Sequence, residues 1–162
     1  MADIEEQSLL NSWNDLCAFL GISDKTGSSS IHYFDVHKYN CPEGLKLPQK
    51  IRLRIEMDTN HTQYGIYYGI YFTLPKKDNI VADDVNRQWK EIRHYIDDFR
   101  NNRYYKSHDC VNKKDVDIED SYSYVYWPYW VKACEREASL ILEEVNLIHK
   151  ALTHKGFTIE PK

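Results

Sequence analysis

The stretch that decides the fold is IRLRIEMDTNHTQYGIYYGIYF, residues 51–72. In both of its halves apolar or aromatic residues recur at every second position, which is typical of β-strands with one buried face. The connection DTNHTQ joins the halves, so we predict an antiparallel hairpin in which both apolar sets share one face. The expected pairs are Met57 with Tyr64, Ile55 with Ile66, and Leu53 with Tyr68.

The opposite face of this hairpin carries the first candidate binding residues. In the predicted register Arg54 lies opposite Tyr67, where the guanidinium can rest on the ring, and Arg52 lies opposite Gly69. Tyr71 belongs to the same face. Two interpretations stay open: glycine here leaves bare backbone that a ligand or another chain approaches closely, or it admits a helix that covers this face.

Three further segments are predicted to be helices. Apolar residues at spacings of three and four predict one helix over residues 4–20 and another over residues 79–100. Pro128 suits the first turn of a final helix, in which a heptad seam runs from Val131 to Leu152. Core packing is the default interpretation of that seam, and a homodimer contact through it is the alternative.

These elements define a fold class. A strand is expected over residues 31–38, and the polar residues 103–120 are expected to form a loop. The chain is therefore predicted to be a single α+β domain over residues 1–162, in which a small antiparallel sheet packs against three helices, two of them long.

The run SYSYVYWPYW, residues 121–130, is the densest aromatic segment of the chain. Tyrosine and tryptophan combine a large contact area with a polar tip, so such a run is either core or a recognition surface. If it is a recognition surface, we expect Tyr124, Tyr126 and Tyr129 to be contact residues.

A nucleic-acid site is the competing prediction. Arg100, Arg103 and Lys106 flank Tyr104 and Tyr105, and basic residues interleaved with aromatic ones are what a nucleic-acid groove needs. Carboxylates are frequent on both sides of this segment, so a solvated loop of mixed charge is the plainer interpretation.

Composition excludes several classes of protein. The net charge of -4 gives no overall attraction to phosphates, and no apolar run approaches the ~18 residues of a membrane span. The four cysteines have no C-x-x-C spacing, which indicates reduced thiols in a cytoplasmic protein. The sequence contains no recognisable metal-binding, cofactor-binding or catalytic motif, so we expect no cofactor and no catalytic residues.

Residues 51–152 resemble the C-terminal half of bacterial PD-(D/E)XK nuclease-like proteins of uncertain function, which are often discussed with phage defence. The resemblance rests on the strands IRLRIEMD and YGIYYGIYF, the long helix after them, and the YWPYW run before the last helix. The family's nuclease motif needs an acidic residue followed by an acidic residue and a lysine two positions apart on a strand. Glu56-Met57-Asp58 lacks that lysine, so the resemblance implies a relative that binds rather than cuts.

The sequence therefore favours a non-catalytic interaction protein of microbial or phage origin. Its partner is expected to be another protein, contacted through exposed aromatic and arginine side chains. A nucleic-acid-binding or metal-dependent nuclease-like protein is the alternative.

Overall fold

The computed structural model describes residues 4–21, 25–26, 31–45, 50–59, 65–75, 82–100, 112–118, 121–133 and 137–160. Over these residues the chain forms an α+β domain of three helices and seven strands. The elements are α1 (Ile4–Leu20), β1 (Lys25–Thr26), β2 (Ile31–Asn40), β3 (Lys50–Asp58), β4 (Gly65–Pro75), α2 (Ala82–Arg100), β5 (Asn112–Ile118), β6 (Ser121–Lys132), α3 (Ala138–His154) and β7 (Thr158–Ile159).

The strands form one antiparallel sheet in the order β1-β2-β3-β4-β6-β5, and β7 pairs with the end of β2. The predicted hairpin, β3 with β4, lies at its centre. The chain then leaves the sheet through α2 and returns to the far edge, so β6 lies between β4 and β5. The α+β prediction is confirmed, with a larger sheet than the sequence indicated.

The hairpin register differs from the prediction by two residues. Met57 pairs with Ile66, Ile55 with Tyr68, and Leu53 with Ile70. Because side chains alternate with a period of two, this shift keeps both apolar sets on one face. The hydrophobic pattern fixes the face of each strand, but it does not distinguish registers that differ by an even number.

All three helices pack on one face of the sheet, which we call the inner face. Three contacts show this placement: Trp13 of α1 packs on Phe34, with 5.0 Å between ring centroids; Trp89 of α2 stacks on Phe72; and Glu144 of α3 accepts a hydrogen bond from Tyr68. The core between helices and sheet holds the apolar set of the hairpin, namely Leu53, Ile55, Met57, Ile66, Ile70 and Phe72.

Pro128 lies in β6 and not in the first turn of a helix, so that prediction is wrong. Tyr126 pairs with Phe72 and Tyr129 pairs with Ile70, which leaves Trp127 and Pro128 opposite a single residue of β4. This is a β-bulge, one of the few places where a sheet accepts a proline, because proline has no N–H to donate. Among the described residues, the pairing of β5 with β6 reaches as far as Tyr126.

The heptad seam is divided between two elements. Val131 belongs to β6, and α3 begins only at Ala138, which makes α3 17 residues long, the same as α1. From Ala138 to Leu152 the seam residues are buried against the rest of the chain. The described seam residues are therefore core, and they offer no exposed apolar surface for the homodimer contact predicted through a helix from Val131 to Leu152.

Residues 112–118 form β5, although the sequence predicted a loop over residues 103–120. Val116 pairs with Ser123 and Asp117 pairs with Tyr122. Polar residues at an edge strand keep a sheet from pairing with other chains, and this polarity hid the strand from the sequence pattern. Residues 103–111 and 79–81 lie outside the described residues.

Candidate binding surface

The face of the sheet opposite the helices, the outer face, is organised in rows that run across the strands. Tyr33 and Asp35 of β2 lie on this face. A bulge at Val36 shifts the alternation by one residue, so Lys38 lies on the same face. Three rows follow from the strand pairing: Tyr33, Glu56, Tyr67 and Lys132; then Asp35, Arg54, Gly69 and Trp130; then Lys38, Arg52 and Tyr71.

Arg54 is the anchor of the outer face. Its Nε donates a hydrogen bond to Asp35 Oδ1 at 2.8 Å, and its Nη1 lies 3.6 Å from Glu56 Oε1. The guanidinium carbon is 4.1 Å from the ring centroid of Tyr33 and 3.7 Å from that of Tyr71, so a ring covers each side of it. Only 6% of its side chain is exposed, although all three helices pack on the other face.

Four half-buried aromatic residues of β4 and β6 lie on the outer face beside Arg54. We call them the aromatic cluster: Tyr67, Tyr71, Trp127 and Trp130. Tyr67 and Trp130 lie nearly parallel, with 6.4 Å between centroids and 7° between planes. The Trp127 ring centroid lies 5.9 Å from that of Trp130 and 6.0 Å from that of Tyr71, which it meets in a T-shaped contact. These contacts hold the rings in place and leave part of each ring exposed.

Gly69 has a structural reason that neither interpretation of the sequence anticipated. A Cβ atom built on this residue would lie 2.0 Å from the carbonyl oxygen of Tyr129, and its φ of +151° disfavours other residues. The glycine therefore admits the backbone of the neighbouring strand β6. It does not admit a covering helix, and no ligand is needed to explain it.

Glu56 gives the outer face a group that can change charge near neutral pH. Its side chain is 13% exposed. Burial raises the pKa of Glu56 from its ordinary 4.5 to about 7, and the nearby Arg54 guanidinium opposes that rise.

Two residues predicted as surface contacts are in the core. Tyr129 is fully buried on the inner face, where its hydroxyl donates a hydrogen bond to Asp97 Oδ1 and accepts one from Arg100 Nη1, each at 2.6 Å. Arg100 is also fully buried and forms an ion pair with the fully buried Glu144. Tyr129 alternates with the outward-facing Trp130, and Arg100 lies on the inward side of α2. Both predictions are therefore wrong.

The other predicted residues are only partly placed. Arg52, Arg54, Tyr67 and Tyr71 lie together on the outer face, as the sequence indicated. Tyr124 and Tyr126 belong to β6, but their side chains are outside the described part of the structure. The residues predicted for nucleic-acid binding after α2 lie wholly outside the described residues, namely Arg103, Tyr104, Tyr105 and Lys106.

Sequence reasoning missed four members of the surface: Tyr33, Asp35, Trp127 and Trp130. Tyr33 and Asp35 alternate with the buried Phe34, so the strand predicted over residues 31–38 already contained the signal that they share a face. Trp130 was missed because a helix was expected to begin at Pro128. In a strand, the same residue alternates with the buried Tyr129 and Val131 and so points outward.

Three further observations concern metal sites, membrane-spanning helices and similarity to known proteins. No three His, Cys, Asp or Glu side chains among the described residues are placed to hold a metal ion. None of the described helices is long and apolar enough to cross a membrane. Comparison with protein-family models, curated proteins and solved structures found no match. The resemblance to PD-(D/E)XK nuclease-like proteins therefore stays a prediction.

Proposed function

We propose that this chain is a non-catalytic cytoplasmic interaction protein that binds another protein through the outer face of its sheet. The observation that carries the proposal is the aromatic cluster, gathered beside the buried Arg54 on the face that the helices leave uncovered. Tryptophan, tyrosine and arginine are the residues most enriched where protein interfaces concentrate their binding energy.

The geometry suits specific contact because the rings are already fixed. Tyr71 is held against Arg54, and Tyr67 lies parallel to Trp130. A surface that is ordered before binding loses less side-chain entropy when the partner arrives. Occlusion of a functional site on that partner, or bridging of two proteins, would make the chain a regulator or inhibitor.

The location of the cysteines agrees with the proposed cytoplasmic setting. Cys17 and Cys41, the two cysteines in the described part of the chain, are both half-buried thiols. Thiols persist in this state in reducing compartments.

The test is affinity capture of a partner by the immobilised chain, comparing the wild type with the double variant Tyr67→Ala, Trp130→Ala. Tyr71 is kept because its ring covers the buried Arg54 guanidinium. The matched control is Phe19→Ala, which removes an aromatic side chain that is 67% exposed on α1. We expect the double variant to lose a protein that both the wild type and the control retain.

Stability has to be measured alongside. Because Tyr67 and Trp130 are only half-buried, we expect the double variant to unfold cooperatively at a temperature lower by only a few degrees. If the double variant unfolds at a much lower temperature, the capture test is made with the single variant Tyr67→Ser instead. Capture that is equal for the wild type and a folded outer-face variant contradicts the proposal.

A further inference from the structure

We infer that the partner presents an acidic segment with an apolar anchor to the outer face. This inference rests on the proposed function and adds the chemistry of the partner. It follows from how the charges of this face are distributed between exposed and shielded positions.

The exposed charges on the outer face are basic. Among the described side chains of β2, β3, β4 and β6, the exposed charged residues on this face are Lys38, Lys50, Arg52 and Lys132. Lys50 forms a 2.6 Å ion pair with Glu160, and the charges of Lys38 and Arg52 also act on that carboxylate. We call Lys38, Arg52 and Lys132 the basic rim. Arg52 pairs with Asp35 at 3.5 Å, but 44% of its side chain is exposed, so part of its guanidinium still faces solvent.

The acidic side chains of the same face are mostly shielded from solvent. Asp35 and Glu56 have side chains that are 14% and 13% exposed, and both lie beside the Arg54 guanidinium. Asp58, at the end of β3, is half-buried as well. A partner that approaches this face therefore meets positive charge around the aromatic cluster, although the whole chain carries a net charge of -4.

This arrangement argues against a second copy of the chain as the occupant. In a two-fold symmetric contact the same patch faces itself, so the basic rim of one copy would meet the basic rim of the other. Like charges placed together across an interface are strongly unfavourable.

Single-stranded nucleic acid fits the surface less well than an acidic protein segment. Nucleic-acid platforms stack bases on open aromatic faces and on arginine planes. Here both sides of the Arg54 guanidinium are covered by rings, and Tyr67 lies parallel to Trp130. The rings therefore offer edges and partial faces, which suit an apolar side chain flanked by carboxylates.

The experiment measures fluorescence anisotropy of a labelled glutamate-rich peptide with a central phenylalanine. A lysine-rich peptide and an uncharged glycine-serine peptide with the same central residue are the reference probes. We expect the wild type to bind only the acidic peptide, with an affinity that falls as salt is raised from ~50 to ~200 mM.

The decisive variants reverse charge on two surfaces. Arg52→Glu with Lys132→Glu should weaken binding of the acidic peptide on the order of tenfold or more. The matched control Lys90→Glu with Lys150→Glu changes the net charge equally at exposed positions on α2 and α3, and it should leave most of the affinity. Equal loss in both variants overturns the inference, as does the absence of binding at low salt.

Two outcomes separate this inference from the proposed function. If the uncharged peptide binds as tightly as the acidic one, and Tyr67→Ala with Trp130→Ala abolishes its binding, the outer face is a protein-binding surface and the acidic partner is wrong. If a single-stranded oligonucleotide displaces the acidic peptide and binds more tightly, the partner class is nucleic acid and the inference is wrong.

Discussion

The Arg54 guanidinium carbon lies over the ring of Tyr71, 3.7 Å from its centroid. A buried arginine is unusual on a sheet face that none of the described helices covers, because charged groups are costly to remove from water unless they are paired. Tyr33, Tyr71 and Asp35 satisfy this one from three directions. The same contacts fix the position of the rings that we propose for binding.

The first prediction concerns this anchor. Arg54→Met should lower the free energy of unfolding by about 3 kcal/mol or more, because it leaves Asp35 and Glu56 as shielded carboxylates without their cation. Urea titration followed by tryptophan fluorescence measures the change. Arg52→Met is the matched control: its side chain is 44% exposed, so we expect a change below about 1 kcal/mol. Similar losses at both positions would contradict the anchoring role.

The second prediction concerns the pH dependence of stability. The pKa of Glu56 rises from 4.5 to about 7 in the folded protein, so between these values the folded state holds a proton that the unfolded chain releases. The contribution of Glu56 to stability therefore falls as pH rises through this window and is constant above it. Glu56→Gln should match the wild type near pH 4 and exceed it above pH 7, by up to about 3 kcal/mol.

Urea titrations of both proteins across this pH range check the prediction. A difference in unfolding free energy that does not change with pH would show that Glu56 keeps an ordinary pKa. A difference that grows towards acid pH would reverse the sign and exclude burial as the dominant influence on this carboxyl group.

The third prediction concerns the approach of β6 to β4. Gly69→Ala should destabilise the fold by more than about 2 kcal/mol, because its Cβ would overlap the carbonyl oxygen of Tyr129 at a backbone angle that alanine disfavours. Gly44→Ala is the control, since a Cβ there meets nothing within 4 Å. Thermal unfolding of both variants distinguishes them, and an unchanged midpoint for Gly69→Ala would contradict the close contact between the strands.

The fourth prediction tests whether Arg100 is structural. Arg100→Met should cost about 3–5 kcal/mol, because the fully buried Glu144 carboxylate would lose its partner. The double variant Arg100→Met, Glu144→Leu should recover part of that loss by removing the stranded charge. Denaturant titration of the three proteins gives the values. A mild effect of Arg100→Met alone would return this residue to the list of possible surface contacts.

The sequence was sufficient for the parts of the fold that depend on periodicity. The limits of α1, the strand character of residues 51–57 and 65–72, and the inward side of α2 at Trp89 and Ile96 all follow from which positions are apolar. The grouping of Arg52, Arg54, Tyr67 and Tyr71 on one face followed as well, because an even shift of register preserves faces.

Features that depend on partners distant in the sequence were not predictable in this way. Pro128 reads locally as a helix start, and only the bulge opposite Tyr71 allows it inside a strand. Arg100 reads as a surface cation, and only Glu144, far along the chain, explains its burial. The edge strand β5 carries almost no apolar signal because its pairing to β6 defines it.

The most direct test of the proposed binding face is site-specific photocrosslinking in the cells that produce the protein. A photoreactive phenylalanine analogue replaces Tyr67 in one protein and the exposed Phe19 in another. We expect a discrete adduct with one other protein from position 67 and none from position 19. No adduct from position 67, or the same adducts from both positions, would contradict the assignment of the outer face as the binding surface.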